Sequence, residues 1–227
     1  MTADPTVPPA GGDDGVPAAA GGGPRPAAEH YFAAEPGSSG RTHAVAFAAG
    51  GREYTLTAGR GVFSARRLDP GTAVLLRKAP LPDADEVGPL LDLGCGYGPI
   101  TAVLADRAPG ATVYAVDVNA RARELTAVNA AAVGAAERVR VSDPDGVPAG
   151  VRFRQVWSNP PIRVGKAELH ALLERWLPRL ADDGVAWLVV ARHLGADSLQ
   201  EWLVGLGWAV SRQASQKGFR VLRVSRD

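Results

Sequence analysis

The sequence predicts an α/β protein built on a mainly parallel sheet with helices on both faces. Three observations predict it. From about residue 82 onward, short apolar strand-like runs alternate with helical segments, the pattern of a parallel sheet crossed by helices. One of these runs leads directly into three alternating glycines, Gly94, Gly96 and Gly98, and then into a helix. Acids also fall at three successive strand ends, Asp92, Asp117 and Asp143, the edge at which open α/β sheets bind ligands.

The elements are read in chain order. Residues 1–28 are rich in Pro, Gly and Ala and offer almost nothing large to bury, so they are expected to form a disordered tail. Order is expected from His30-Tyr31-Phe32. Residues 42–47 and 52–57 read as two strands joined by a turn at Ala49-Gly50-Gly51. Asp69-Pro70-Gly71-Thr72 reads as a helix start, with Asp69 as N-cap and Pro70 in the first helical position. That helix carries 73–79. Strands follow at 89–93, 112–116, 139–141, 153–158 and 185–190. Helices are expected at 99–107, 120–133, 166–180 and 196–206. Residues 208–211 and 219–224 close the chain as an antiparallel pair. The chain divides into the tail 1–28, an N-terminal hairpin and helix extension 29–80, and a main domain 81–227 containing seven strands.

Composition narrows the function classes. Apolar residues make up 46%, enough for a sizeable core. No run approaches the ~18 apolar residues of a membrane span, and the N-terminus has no secretory pattern. Cys95 is the sole cysteine, which excludes a disulfide framework and a cysteine zinc cluster and fits a cytoplasmic location. The four histidines have no metal spacing, so no metal and no membrane partner are expected. Net charge is +1 overall, but it is −4 over 1–39, +5 over 40–78, −5 over 79–150 and +5 over 151–227. Two basic blocks flank an acidic centre; basic patches are the electrostatic footprint of polyanion binding, although the excess of Arg over Lys and the abundance of Ala also fit a coding bias.

The segment Leu90-Leu91-Asp92-Leu93-Gly94-Cys95-Gly96-Tyr97-Gly98 carries the most chemistry. Glycine lets the backbone turn tightly and approach a ligand with no Cβ in the way. The Gly-x-Gly-x-Gly spacing departs from the Gly-x-Gly-x-x-Gly of a pyrophosphate loop, and an acid precedes it, so the cofactor is expected to present a cation at this turn. Asp117, about 20 residues on, is placed to accept from ribose hydroxyls. The run with Asp117 downstream resembles the cofactor half of class I S-adenosylmethionine (SAM)-dependent methyltransferases over residues 85–190. That resemblance implies a Rossmann-like methyltransferase fold. It implies that SAM is the cofactor and that Gly94, Gly96 and Gly98 line its methionine part. Asp117 would bind ribose and Asp143 lie by adenine. Asp92, Cys95, Val118 and Asn159 complete the expected cofactor-binding set. Cys95 is expected to face the cofactor and not to act as a nucleophile.

A second motif, Asn159-Pro160-Pro161-Ile162, ends the strand at 153–158. Two prolines fix φ and remove two backbone donors, which leaves a stiff loop with outward carbonyls. An exocyclic amino group on a base is a weak nucleophile because its lone pair is delocalised. The Asn159 side-chain oxygen and the Pro160 carbonyl are expected to take one N–H each and aim the lone pair at the methyl donor. The combination resembles the amino-methyltransferase branch, which acts on adenine N6, guanine N2 or a glutamine side chain. Many members carry an aromatic where this chain has Ile162, so another residue must stack on the target; Phe63, Phe32 and Phe219 are candidates.

The longer run through Arg163, Val164, Gly165 and Lys166 resembles the small methyltransferase group that holds the guanine-N2 methyltransferases of small-subunit ribosomal RNA. Gly61-Val62-Phe63-Ser64 with Asp69-Pro70-Gly71-Thr72, and Lys217-Gly218-Phe219-Arg220-Val221, extend that resemblance over residues 30–227. It implies RNA as partner. Arg163, Lys166 and Lys217 would grip phosphates, with Arg192 and Arg220 on the same face, and Phe63 and Ser64 would pack near the methionine end. The ribosomal enzymes of this group carry two tandem methyltransferase-like domains, and 227 residues hold one. A protein glutamine or a small molecule is the alternative substrate, and a non-catalytic SAM- or RNA-binding module is the rival from a different class.

Overall fold

The computed structural model describes residues 41–62, 66–161 and 165–227. The expected tail, the onset of order at His30 to Phe32, Phe63, Ser64, Ile162 and Arg163 lie outside the described residues.

The N-terminal extension is a hairpin, β1 (Thr42–Ala49) and β2 (Arg52–Gly59), followed by helix α1 (Pro70–Lys78). Asp69 caps α1, accepting from the amides of Gly71 and Thr72. The main sheet contains β3 (Leu90–Leu93), β4 (Val113–Val116), β5 (Val139–Ser142), β6 (Phe153–Ser158), β7 (Leu180–Ala191), β8 (Ala209–Gln216) and β9 (Phe219–Ser225). Between them lie α2 (Pro99–Arg107), α3 (Ala120–Ala132), α4 (Lys166–Trp176) and α5 (Ala196–Gly205). The strand order is β5-β4-β3-β6-β7-β9-β8. Neighbours from β5 to β7 are parallel, and β9 runs antiparallel to both β7 and β8. The chain therefore steps outward from β3 to β5, returns to β6 on the other side of β3, and continues to the far edge. Strand order reverses between β3 and β6, and the carboxyl ends of the strands at such a reversal are where open α/β sheets bind ligands.

Two apolar layers hold the sheet. One face of the sheet packs against α1, α2, α3 and the hairpin through Val74, Leu75, Leu104, Trp157 and Val189. The other packs against α4 and α5 through Phe153, Leu173, Trp176, Leu188 and Leu203. All four β3 side chains are buried, as expected for a central strand covered on both faces.

Several boundaries differ from the sequence reading, and two show why. The expected helix over 166–180 stops at Trp176, and Leu177–Arg179 form a single 3-10 turn, because Pro178 cannot continue an α-helical ladder. Strand β7 begins at Leu180, before the apolar run, and crosses an irregularity where Phe153 pairs with Leu180 but Gln155 with Val185. Asp182 and Asp183 sit in that exposed stretch and hide the strand from a hydrophobicity count.

The extension is bolted to the cofactor half by two asparagines of the α3 region. Asn129 accepts from the Thr57 amide at 2.7 Å and donates to the carbonyls of Thr57 and Tyr97 at 2.8 and 2.7 Å. Asn119 donates to the Gly61 carbonyl at 2.8 Å.

Candidate active site

The glycine turn follows β3. Gly94, Gly96 and Gly98 all adopt positive φ, at 79°, 60° and 88°, a region that costs most side chains about 1 kcal/mol or more. A Cβ at Gly94 or Gly96 would meet nothing within 4 Å, whereas at Gly98 it would lie 3.1 Å from Thr126. The first two glycines thus border open space suited to a ligand, and the third is needed for helix packing. Cys95 turns away from that space: it is buried, and Thr126 Oγ1 donates to its Sγ at 3.4 Å. Burial first, then the charges of Asp117 and Asp92, hold its thiol well above its ordinary range, which is unfavourable for a nucleophile. The expected cofactor-facing side chain is a core side chain, and only the Cys95 backbone belongs to the loop.

Asp92 is fully buried beneath the turn. Its Oδ2 accepts from the amide and hydroxyl of Thr101 at 2.8 and 2.6 Å. It thereby caps α2, whose N-cap residue Gly98 has no side chain to do so. The other oxygen, Oδ1, is buried without a hydrogen-bond partner. Desolvation outweighs the Thr101 bonds and, with repulsion from Asp117, pushes the Asp92 carboxyl up to about 7. Asp117, at the end of β4, accepts from the Gly96 amide at 2.9 Å and the Asn119 amide at 2.9 Å. Burial raises its pKa too, against those amides and Arg123. Two carboxylates under electrostatic stress beside an open glycine cradle suit a cationic ligand with hydroxyls, which is the chemistry of SAM. Val118 follows at the same rim, half-buried, and its carbonyl accepts from Arg123 at 2.8 Å. Asp143 is exposed beyond β5, where it accepts from the amides of Asp145 and Gly146 and shapes that loop.

The Asn-Pro-Pro corner lies next to this cradle. Ser158 pairs with Leu93 in the parallel register, and its hydroxyl donates to the Leu93 carbonyl at 2.7 Å. Asn159 therefore leaves β6 directly beside Gly94, since paired strands are about 4.8 Å apart. The Asn159 side-chain nitrogen donates to Asp69 Oδ1 at 2.7 Å and to Thr72 Oγ1 at 3.0 Å. Pro160 is buried and Pro161 half-buried. Phe219, at the start of β9, comes to the same place: a Cβ on Gly71 would lie 3.1 Å from its ring and 3.3 Å from the Asn159 nitrogen.

Of the expected cationic residues, Lys166 begins α4 and is exposed. Lys217 is exposed in the β8–β9 turn, and exposed Arg192 joins that turn through its amide, which donates to the Gly218 carbonyl at 2.8 Å. Arg220 does not share this face as expected. It is buried and ion-paired with Asp197. A cleft of about 560 Å³ lined by Pro80, Asp85, Arg154 and Trp187 opens at the opposite end of β6 and β7, away from the glycine turn.

Sequence reasoning missed three contributors. Thr101 anchors Asp92, and Asp69 and Thr72 hold Asn159. Asp69 was legible only as a helix cap.

A reversed strand order at a glycine cradle, stressed acids beneath it and a rigid acceptor corner beside it define a SAM-dependent methyltransferase. The chain belongs to the family of the methyltransferase small domain, which matches residues 53–223. It is 33% identical over 201 residues to the uncharacterized protein YbxB of Bacillus subtilis, covering 87% of this chain and 98% of that one. It is 40% identical over 134 residues to ribosomal RNA small subunit methyltransferase C of Aeromonas hydrophila, covering 59% of this chain but only 38% of that protein. Among solved structures, the T. thermophilus 16S rRNA N2 methyltransferase, in complex with AdoMet and guanosine, matches with a TM-score of 0.70 at 27% identity. That match covers 85% of this chain and 52% of the other, so the chain spans about half the length of that enzyme.

Proposed function

We propose that this methyltransferase acts on an exocyclic amino nitrogen of an RNA base, guanine N2 of small-subunit ribosomal RNA. The observation that carries the proposal is the pairing of Ser158 with Leu93, which sets the acceptor corner immediately beside the glycine turn.

When bound, SAM supplies an electrophilic methyl group on a sulfonium. The residues present supply the rest. Gly94 and Gly96 leave room for the ligand's backbone approach, and Asp92 and Asp117 offer carboxylates to its cation and hydroxyls. Asn159 Oδ1 and the Pro160 carbonyl each accept an N–H of the target amine, which frees its lone pair for in-line attack. No strong base is required: as the N–C bond forms the donor's S–C bond would break to leave a neutral thioether, and the acidic, newly methylated nitrogen would then release its proton to water. Phe219, half-buried at the corner, provides the stacking surface that Ile162 lacks. Lys166, Lys217 and Arg192 contribute phosphate contacts, with Arg163 beside Lys166 in sequence. The guanosine bound to the T. thermophilus neighbour supports guanine as the target.

The test is methyl transfer from labelled SAM to small ribosomal subunits and to their naked RNA, followed by nucleoside mass spectrometry. N2-methylguanosine is the expected product. Label entering a protein and no RNA would reject the proposal and favour the glutamine reading.

A further inference from the structure

We infer that Asp69 and Thr72 are positioning residues for methyl transfer: they occupy both N–H groups of the Asn159 side chain, so its oxygen is presented as the acceptor for the target amine. The inference rests on the reading of Asn159 as an amine acceptor and adds what makes it one.

An asparagine amide has two N–H donors and one oxygen, nearly equal in size, and only its partners decide which end faces where. Here the carboxylate partner decides. The Asp69 carboxylate oxygen, 2.7 Å from Asn159 Nδ2, accepts and cannot donate. Rotating the amide by half a turn would put two acceptor oxygens at that distance in a partly buried setting. The Thr72 hydroxyl, 3.0 Å away, takes the second N–H. Both donors are consumed on the α1 side, and Oδ1 is left over.

The lock is itself held. Asp69 Oδ1 also accepts from the Gly71 and Thr72 amides at 2.7 and 3.0 Å, so the first turn of α1 fixes the carboxylate. Thr72 is 5% exposed, which shields its hydroxyl from competing water. Gly71 has no alternative: a Cβ there would lie 2.9 Å from Asp69 Oδ1 as well as against Phe219 and Asn159, and would wedge the three apart. The helix start in the N-terminal extension is thus part of the catalytic corner, although 90 residues separate Asp69 from Asn159.

The experiment uses the full chain. In 15N-labelled protein, the Asn159 side-chain NH2 pair, identified by its loss in Asn159→Ser, is expected to exchange slowly with solvent. Thr72→Val keeps the volume and removes the acceptor. It is expected to speed that exchange and to lower kcat on small ribosomal subunits by about tenfold or more, the scale of one lost hydrogen bond. KM for the subunits, SAM affinity by calorimetry and Tm should stay close to wild type. Thr72→Ser should recover most of the rate, and Asp69→Asn, which retains an oxygen for the amides and Asn159, should lose less than Asp69→Ala. Fast exchange of the Asn159 amide in the wild-type protein overturns the lock whatever the substrate. A rate loss in Thr72→Val matched by equal losses of SAM affinity and Tm assigns these residues to scaffolding and overturns the inference. If no wild-type preparation methylates RNA, the guanine proposal falls, and the exchange measurement still decides the lock.

Discussion

At the scale of single residues, Asp92 is the most consequential. A buried carboxylate with one oxygen unpartnered raises the free energy of the empty protein whenever it is ionised. Its folded pKa, about 7, lies above the ordinary carboxylate value of 3.8. The folded state therefore binds the proton more tightly than the unfolded chain. The stability contribution is full below the unfolded value and is lost as pH rises through about 7. Asp92→Asn keeps an oxygen for Thr101 and removes the charge. Its Tm is expected to exceed wild type at pH 8 by the equivalent of about 1 kcal/mol or more, with the gap shrinking towards pH 5. SAM should reverse the order. Its ammonium compensates the ionised carboxylate, so wild-type affinity should strengthen from pH 6 to 7.5 while the variant binds weakly throughout. Thermal unfolding and calorimetry across that range check both halves, and a variant with wild-type affinity would remove Asp92 from the cation site.

At the scale of elements, what matters is how the N-terminal hairpin and α1 are tied to the sheet. Asn129 is 1% exposed and makes three hydrogen bonds, one of them to the glycine loop at Tyr97. Asn129→Ala removes the partner of the part-buried Thr57 amide and carbonyl and of the buried Tyr97 carbonyl. The expected cost is about 2–4 kcal/mol, read as a lower denaturation midpoint, with SAM affinity reduced because the loop carbonyl is freed. Element starts were legible where chemistry marks them. Asp69 before Pro70 and Asn119 before Ala120 are side-chain caps, and Gly98 before Pro99 combines a left-handed residue with a first-turn proline. Ends were less legible. Pro178 ends the α-helical ladder at Trp176, but the sequence reading runs on to residue 180 because Leu177–Arg179 coil as a 3-10 turn that resembles helix in sequence. Strand β8 runs to Gln216 through Ser211, Arg212 and Ser215, polar because it is an edge strand, and edge strands lack the apolar alternation that reveals their neighbours.

At the scale of the whole molecule, the reversal between β3 and β6 divides labour. On the proposed reading, residues on the β3–β5 side serve the cofactor and residues on the β6–β9 side serve the target. Asp117→Ala is expected to weaken SAM binding by about tenfold or more. Asn159→Ala should nearly abolish turnover with SAM affinity little changed, because an interaction confined to the transition state is lost. Calorimetry and steady-state rates on both variants check this, and equal losses of SAM affinity would contradict the division. The cofactor half was readable because glycine and acid types are dictated locally by a turn and its strand ends. The lock on Asn159 was not, because Asp69 and Thr72 reach it only through the fold.

The central position of β6 also bears on biosynthesis. Strand β3 is the first of the main sheet to leave the ribosome, and its flank towards β6 stays bare until residues 153–158 emerge. Four buried positions, three of them leucine, with open backbone groups along one side form an adhesive template in a nascent chain. Translation stalled between Val116 and Phe153 should yield an aggregation-prone fragment, and the completed strand β6 is what seals it.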